Sequence, residues 1–129
     1  MIRTVVGVAA ATAALLMGAL LMGAAPAQAT PQSRLTLTYL AQAGYADAVR
    51  LTCNPTGGPH PEAAQACAVL RSTGADPTRI KPAQVMCMML YAPVTAQITG
   101  TWRGGRVKWS HRYGNTCEMT RATGVLFKF

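Results

Sequence analysis

The chain has 129 residues, 12 Lys and Arg against 4 Asp and Glu, a formal charge of +8, and a side-chain content that is 50% hydrophobic. That length suits one small domain with a modest core and excludes a second. The positive balance can attract nucleic acid, anionic surfaces or acidic proteins, but there is no Lys/Arg run and no interleaved basic and aromatic motif, which argues against nucleic acid.

Arg3 precedes an apolar run from Val5 to Ala25, broken only by Gly and Thr, and Ala27-Gln28-Ala29 follows with small residues at the spacing of a signal-peptidase site. Residues 1–29 are therefore expected to be a signal peptide, and residues 30–129 a secreted, extracellular domain with no membrane attachment after cleavage. The run is just long enough to span a bilayer. Its Ala/Gly richness, its position and the cleavage pattern nevertheless favour a leader over an anchor. Loss of Arg3 with the leader leaves a charge of about +7.

Cys53, Cys67, Cys87 and Cys117 form an even set in an exported chain, so two disulfides are expected. Of three connectivities, the sequence-nearest pairs each close a moderate loop around one unit: Cys53 with Cys67, and Cys87 with Cys117. Each such bridge contributes roughly 3 to 4 kcal/mol in the chain-entropy account. No CxxC pair occurs and His60 and His111 stand apart, so neither a metal nor a cofactor is expected.

In "RLTLTYL", Leu35, Leu37 and Tyr39 alternate with Thr36 and Thr38, which predicts a strand. "ADAVRLTC" alternates Val49, Leu51 and Cys53 and reads as its hairpin partner across a turn near Gly44. "NPTGGPHP" is a loop. Pro61, Glu62 and Gly74 frame a helix on which Ala63, Cys67 and Leu70 share one face, turning Cys67 toward the sheet. "ADPTRIKPAQ" reads as a connector. Val94, Ala96, Ile98 and Trp102 alternate with polar residues, Gly104-Gly105 turns the chain, and Val107, Trp109, His111 and Tyr113 return it as the strongest hairpin in the sequence. "GVLFKF" alternates Val125, Phe127 and Phe129 and predicts a last strand. The sum is an α+β domain of four or five antiparallel strands with one or two helices on a face.

A nucleophilic enzyme needs Ser or Cys beside a base and an orienting carboxylate. Here the cysteines are committed, His60 lies between prolines and His111 belongs to a strand alternation, so both histidines read as structural or solvated and the chain as no enzyme. "VMCMMLYAP", residues 85–93, is the unusual stretch. Methionine fills irregular cores, so a buried strand is one reading. The other is a short, stiffened loop, anchored at Cys87 and stopped at Pro93, that adds to a protease cleft as a strand. Rigidity before binding would spare it the cost of ordering a flexible peptide.

The stretches "LTCNPTGGPHPEAAQAC", "VMCMMLYAPV", "ITGTWRGGRVKW" and "NTCEM", with the hydrophobic "VLFKF" end, resemble the Streptomyces subtilisin inhibitor family over essentially all of residues 30–129. The resemblance implies a five-stranded antiparallel sheet with two helices on one face and the same two disulfides. It also implies a homodimer assembled through sheet faces, and subtilisin-like serine proteases as partners. Carried onto this chain, it places the scissile bond at Met89-Leu90, with Met89 at P1, Met88 at P2, Cys87 at P3 and Met86 at P4, and with Leu90 and Tyr91 on the primed side. Members with Lys or Arg at P1 are similar to trypsin inhibitors; Met89 points instead to an apolar specificity pocket. The family usually has proline where Met88 stands. Without its fixed φ the loop is expected to resist slow cleavage less well while still inhibiting.

Arg103, Arg106, Lys108 and Arg112 read as a solvated face of the last hairpin, with attachment of a secreted basic protein to anionic cell-wall polymer as the alternative function. Trp102 and Leu35 are candidates for burial either in a dimer or in the monomer core.

Overall fold

A computed structural model describes residues 31–129 together with the isolated Gly23, so the expected leader lies, that glycine apart, outside the described residues. Alternating Leu and Thr build the strand β1, Ser33–Ala41, which turns through residues 42–45 into β2, Ala46–Cys53. The helix α1, Ala63–Thr73, ends where Gly74 takes the left-handed conformation and donates its N–H to the Leu70 carbonyl. A single 3-10 turn, Pro77–Arg79, is started by Asp76, whose carboxylate accepts from the Thr78 N–H and hydroxyl. Then come β3, Val94–Trp102, β4, Gly105–Tyr113, and the helix α2, Thr116–Thr123.

The sheet order is β2-β1-β3-β4, every pair antiparallel, with Leu37 opposite Val49 on one side and Ile98 on the other. This register gathers Leu35, Leu37, Val49, Leu51, Val94, Ala96 and Ile98 on one face, where Ala66, Cys67 and Leu70 of α1 and Met119 of α2 close over them. Both helices therefore cover the same face, as expected. The opposite face is open to solvent and carries Thr36, Thr38, Gln97 and Thr99. The helix reading from spacing holds: Cys67 and Leu70 are fully buried, and Cys67 is bonded to Cys53 at the end of β2. Leu35 belongs to the monomer core, and half-buried Trp102 packs against it.

The expected fifth strand is absent among the described residues: the sheet has four strands, and "GVLFKF" is a succession of turns. Leu126 and Phe127 are both buried although adjacent, whereas a strand covering one face buries alternate residues. The tail is held by other means. The Leu126 and Lys128 N–H groups donate to the Thr123 and Val125 carbonyls. His60 Nε2 donates to the Leu126 carbonyl at 2.9 Å while its Nδ1 accepts from the Glu62 N–H at 3.0 Å, which fixes the orientation of the ring. Phe127 stacks on Trp109, and Phe129 lies against Tyr39 and the edge of His60. The polar His60 is thus a buried structural residue with both ring nitrogens satisfied.

At Gly100, β3 comes so close to β1 that an added Cβ would run into the Arg34 carbonyl oxygen, and φ there is +134°. Gly100→Ala is expected to cost about 1 to 3 kcal/mol, read as a lowered urea midpoint. An unchanged midpoint would mean that the two strands separate there freely.

Candidate functional site

Between the 3-10 turn and β3, residues 81–93 form no helix or strand, yet they are tied down along their whole length. The Ala83 N–H donates to the Arg121 carbonyl of α2 at 2.9 Å. Cys87 is bonded to Cys117, in the first turn of the same helix. The Ala92 N–H donates to the Gly114 carbonyl at 2.8 Å, and the Pro93 carbonyl accepts from the Gln42 N–H at 2.9 Å. Arg112 links the two flanks, donating to the Gln42 carboxamide oxygen at 2.8 Å and to the Tyr91 hydroxyl at 3.4 Å.

The central tie is Asn115. Its side-chain oxygen accepts the Glu118 N–H at 2.8 Å and so caps α2. That orientation leaves the amide nitrogen facing the loop, where it donates to the Leu90 carbonyl at 2.8 Å and to the Met88 carbonyl at 3.2 Å. The carboxamide thus straddles the Met89-Leu90 peptide from below and is itself 8% exposed. One helix end and one loop share a single buried side chain. Glu118 in turn pairs with Arg121 at 2.9 Å, steadying the turn whose carbonyl receives Ala83.

Above these ties the side chains point outward. Met89 is fully exposed at 104%, Met86 at 99% and Met88 at 86%, and Leu90 and Tyr91 are also exposed, while Cys87 is half-buried by its bridge. The buried-strand reading of this methionine run therefore fails: among the described residues the single core methionine is Met119. A contiguous row of exposed apolar side chains on a restrained backbone is what an interaction surface requires. It has a hydrophobic knob at Met89, and both neighbouring carbonyls are prevented from turning. Between Val85 and Ala92 the one ionisable side chain outside a disulfide is Tyr91.

The displaced ionisations lie elsewhere. The Tyr45 hydroxyl, then burial, push Tyr39 up to about 12; burial raises Tyr113; hydrogen bonds from Thr78 hold Asp76 below its usual range. His111 is exposed, stacks on Trp109 and lies tilted against Tyr113, far from His60 in role. No group of three potential metal ligands occurs among the described residues.

The expected loop residues Met86, Cys87, Met88, Met89, Leu90 and Tyr91 are thus brought together on one presented segment. Sequence reasoning missed Asn115, Gly114 and Arg121, and it expected a second helix without placing it at Thr116–Thr123. A signal was there: Asn115 with Glu118 three residues on is an N-cap pattern, and Gly124 marks the stop.

A family described as "Subtilisin inhibitor-like" matches residues 29–115. Among relatives, a subtilisin inhibitor-like protein of Streptomyces lavendulae is 42% identical over 113 residues, covering 82% of this chain and 97% of that protein. A trypsin inhibitor of Streptomyces longisporus is 40% identical over 113 residues, covering 82% of this chain and 78% of its own. Among solved structures, Streptomyces caespitosus sermetstatin in complex with Bacillus licheniformis subtilisin is similar with a TM-score of 0.65 at 25% identity, covering 77% of this chain and 100% of that one. On the family match and the identity to these relatives, the chain belongs to the subtilisin inhibitor-like family.

Proposed function

We propose that this protein inhibits subtilisin-like serine endopeptidases by offering Met86–Tyr91 as a substrate-like segment with Met89 at P1. The observation that carries the reading is the pairing of a fully exposed Met89 with a backbone fixed on both sides of it by Asn115. An extended segment of this kind adds to a protease cleft as a strand. Because its order is established on folding, little entropy is lost on binding. The unbranched, polarizable thioether of Met89 suits an apolar pocket, whereas a trypsin-like pocket with an acidic base gains no charge partner.

The same restraints account for slow cleavage. When the protease serine attacks the Met89 carbonyl carbon, the bond to the Leu90 nitrogen breaks, and that nitrogen takes a proton from the catalytic histidine. In an ordinary substrate the new amine diffuses away. In this chain Leu90 stays tethered through its carbonyl to Asn115, through Ala92 to Gly114 and through the chain itself to β3. The amine remains beside the acyl carbon and re-forms the peptide bond, returning the serine its proton. Met88 supplies no ring to fix φ, so Asn115 and the Cys87 bridge carry that restraint.

Residues 1–29 are part of the proposal as a leader removed on export, which accords with two disulfides in the remaining domain. The chain is further proposed to form a homodimer through the open sheet face. The rows nearest the loop are the favoured contact, because Leu40 is exposed there beside uncharged Thr38, Thr95, Gln97 and Ser110, and their one cation, Arg112, is engaged by Gln42 and Tyr91.

Titrating subtilisin with the protein is expected to abolish activity near one inhibitor loop per enzyme, and Met89→Lys is expected to gain trypsin inhibition by at least tenfold. Full subtilisin activity with a folded, disulfide-bonded inhibitor would overturn the reading. Asn115→Asp keeps an acceptor for the α2 cap but removes both loop donors, each contributing about 0.5 to 1.5 kcal/mol. The expected phenotype is temporary inhibition, with hydrolysis at Met89-Leu90 accelerated tenfold or more on long incubation and followed by mass spectrometry. Intact loop after the same incubation would remove Asn115 from the mechanism. For the dimer, light scattering at micromolar concentration should give twice the monomer mass; a monomer mass would exclude it.

A further inference from the structure

Of the exposed side chains between Val85 and Tyr91, Tyr91 alone has a side-chain hydrogen bond among the described residues. Its ring is 76% exposed, yet its hydroxyl accepts from Arg112 Nη2 at 3.4 Å, and the same nitrogen donates to the Gln42 carboxamide oxygen at 2.8 Å. Gln42 is itself fixed. It belongs to the β1/β2 turn, where the Ala41 N–H donates to the Tyr45 carbonyl at 2.7 Å and the Gly44 N–H to the Ala41 carbonyl at 2.9 Å, and its own N–H holds the Pro93 carbonyl. The result is a closed circuit: Gln42 through Pro93 and Ala92 to Tyr91, then the Tyr91 hydroxyl through Arg112 back to Gln42.

Arg112 stands in β4 opposite Thr95, which faces Leu40, so its row of the sheet holds no acid. None comes from elsewhere among the described residues: Asp47 accepts from the Ala48 N–H, Glu62 precedes α1, Asp76 pairs with Arg79 and Glu118 with Arg121. An exposed arginine without a carboxylate ordinarily keeps its head in water. This one is committed to two neutral oxygens, one on the turn and one on the loop. The shorter bond, to Gln42, anchors the guanidinium, and the longer one limits the swing of the Tyr91 ring. Gln42 lines two clefts. One, of about 400 Å³, is walled on the loop side by Tyr91, Ala92 and Pro93; the other, of about 210 Å³, reaches Arg112. The position of the Tyr91 ring therefore sets the shape of the first.

We propose that Arg112 is a positioning residue for the primed side of the loop, holding the Tyr91 ring in the orientation in which a protease meets it. This rests on the inhibitory reading above, in which Tyr91 is the second residue beyond the scissile bond. Asn115 orders the backbone around Met89, but it does nothing for the Tyr91 side chain. Without Arg112 the ring would turn about its two side-chain bonds, and the protease would have to arrest it at a cost in affinity. The partner this fits is an endopeptidase whose cleft runs at least two residues past the scissile bond and takes a planar aromatic ring there. A carbonyl or carboxylate oxygen at the end of that site would complete the contact. The Tyr91 hydroxyl accepts from Arg112 and so keeps its own proton to donate, strengthened by the cation behind it.

The test is a double-mutant cycle on the disulfide-bonded protein, with association and dissociation rates measured against subtilisin for wild type, Arg112→Gln, Tyr91→Phe, both together, and Arg112→Lys. Arg112→Gln is expected to dissociate about three- to tenfold faster with association within about twofold of wild type, and to add no more than about twofold beside Tyr91→Phe. Arg112→Lys should behave like Arg112→Gln, because an ammonium lacks the planar fork that holds two acceptors in fixed directions. Full recovery by lysine, with slower association in the glutamine variant, would reduce Arg112 to a steering charge and overturn the proposal. Arg112 also stands in the row favoured for the dimer, so a loss that persists undiminished beside Tyr91→Phe would assign its effect to the sheet face and overturn the proposal too. Proton NMR of the free protein separates this inference from the inhibitory reading. Nuclear Overhauser contacts between the Tyr91 ring and the Gln42 side chain are expected in wild type and lost in Arg112→Gln; their persistence would show that Arg112 does not hold the ring. A wild type that leaves subtilisin active overturns the inhibitory reading and with it the role given to Tyr91, while these contacts still report whether Arg112 fixes the ring.

Discussion

The hydrogen bonds of Asn115 are the constraint on which the rest of the presented loop depends. A carboxamide has one acceptor group and two donor hydrogens, and this side chain uses both ends at once: its oxygen starts α2 and its nitrogen holds the carbonyls on either side of Met89. Because the side chain is buried, leaving any of these groups unmatched would carry a desolvation penalty. The helix start and the loop conformation therefore form one unit. The Cys87–Cys117 bridge reinforces that unit rather than creating a separate one, since Cys117 lies two residues beyond Asn115 on the same helix.

This coupling explains how so small a domain tolerates a row of exposed apolar side chains. Met86, Met88, Met89, Leu90 and Tyr91 contribute nothing to the core, and their ordering has a backbone entropy cost of about 1 to 2 kcal/mol per residue. The offset comes from the sheet and its two helices, from the bridges, and from α2, which needs its cap in any case. Ordering of the loop is completed during folding. What remains for a partner is the apolar surface itself.

How much of this was legible in the sequence differs by element, for physical reasons. The β1/β2 and β3/β4 hairpins were plain, because Leu/Thr and Val/Ala/Ile alternation with Gly-marked turns admits one face assignment only. Helix α1 was legible from Pro61, Gly74 and the placement of Cys67. The tail was misread because alternation of Val125, Phe127 and Phe129 is a local signal, whereas its conformation is decided by distant groups: His60 takes the Leu126 carbonyl, and the aromatic faces of Trp109 and Tyr39 receive Phe127 and Phe129. The loop residues themselves were identified by resemblance and by the odd methionine run. Asn115 escaped because an N-cap reading accounts for its oxygen alone, and nothing in the local sequence says what its nitrogen faces.

The sheet also separates two kinds of surface. One face is closed by helices and fixes where the loop anchors sit, through Gly114 and Asn115 just beyond β4 and through Val94 at the start of β3. The other face is free of the core's demands, since its Thr, Gln and Arg side chains could be exchanged without opening a cavity. Yet its cations are not scattered. Arg34, Arg50, Arg106 and Lys108 stand in adjacent rows at the end away from the loop, while Arg112, in the row nearest the loop, is engaged by Gln42 and Tyr91, and every acid lies elsewhere. A face under no packing constraint needs charge only to remain soluble, and mixed charge serves that purpose as well. The concentration of unpaired cations toward one end of one face is therefore a feature that neither folding nor the loop requires.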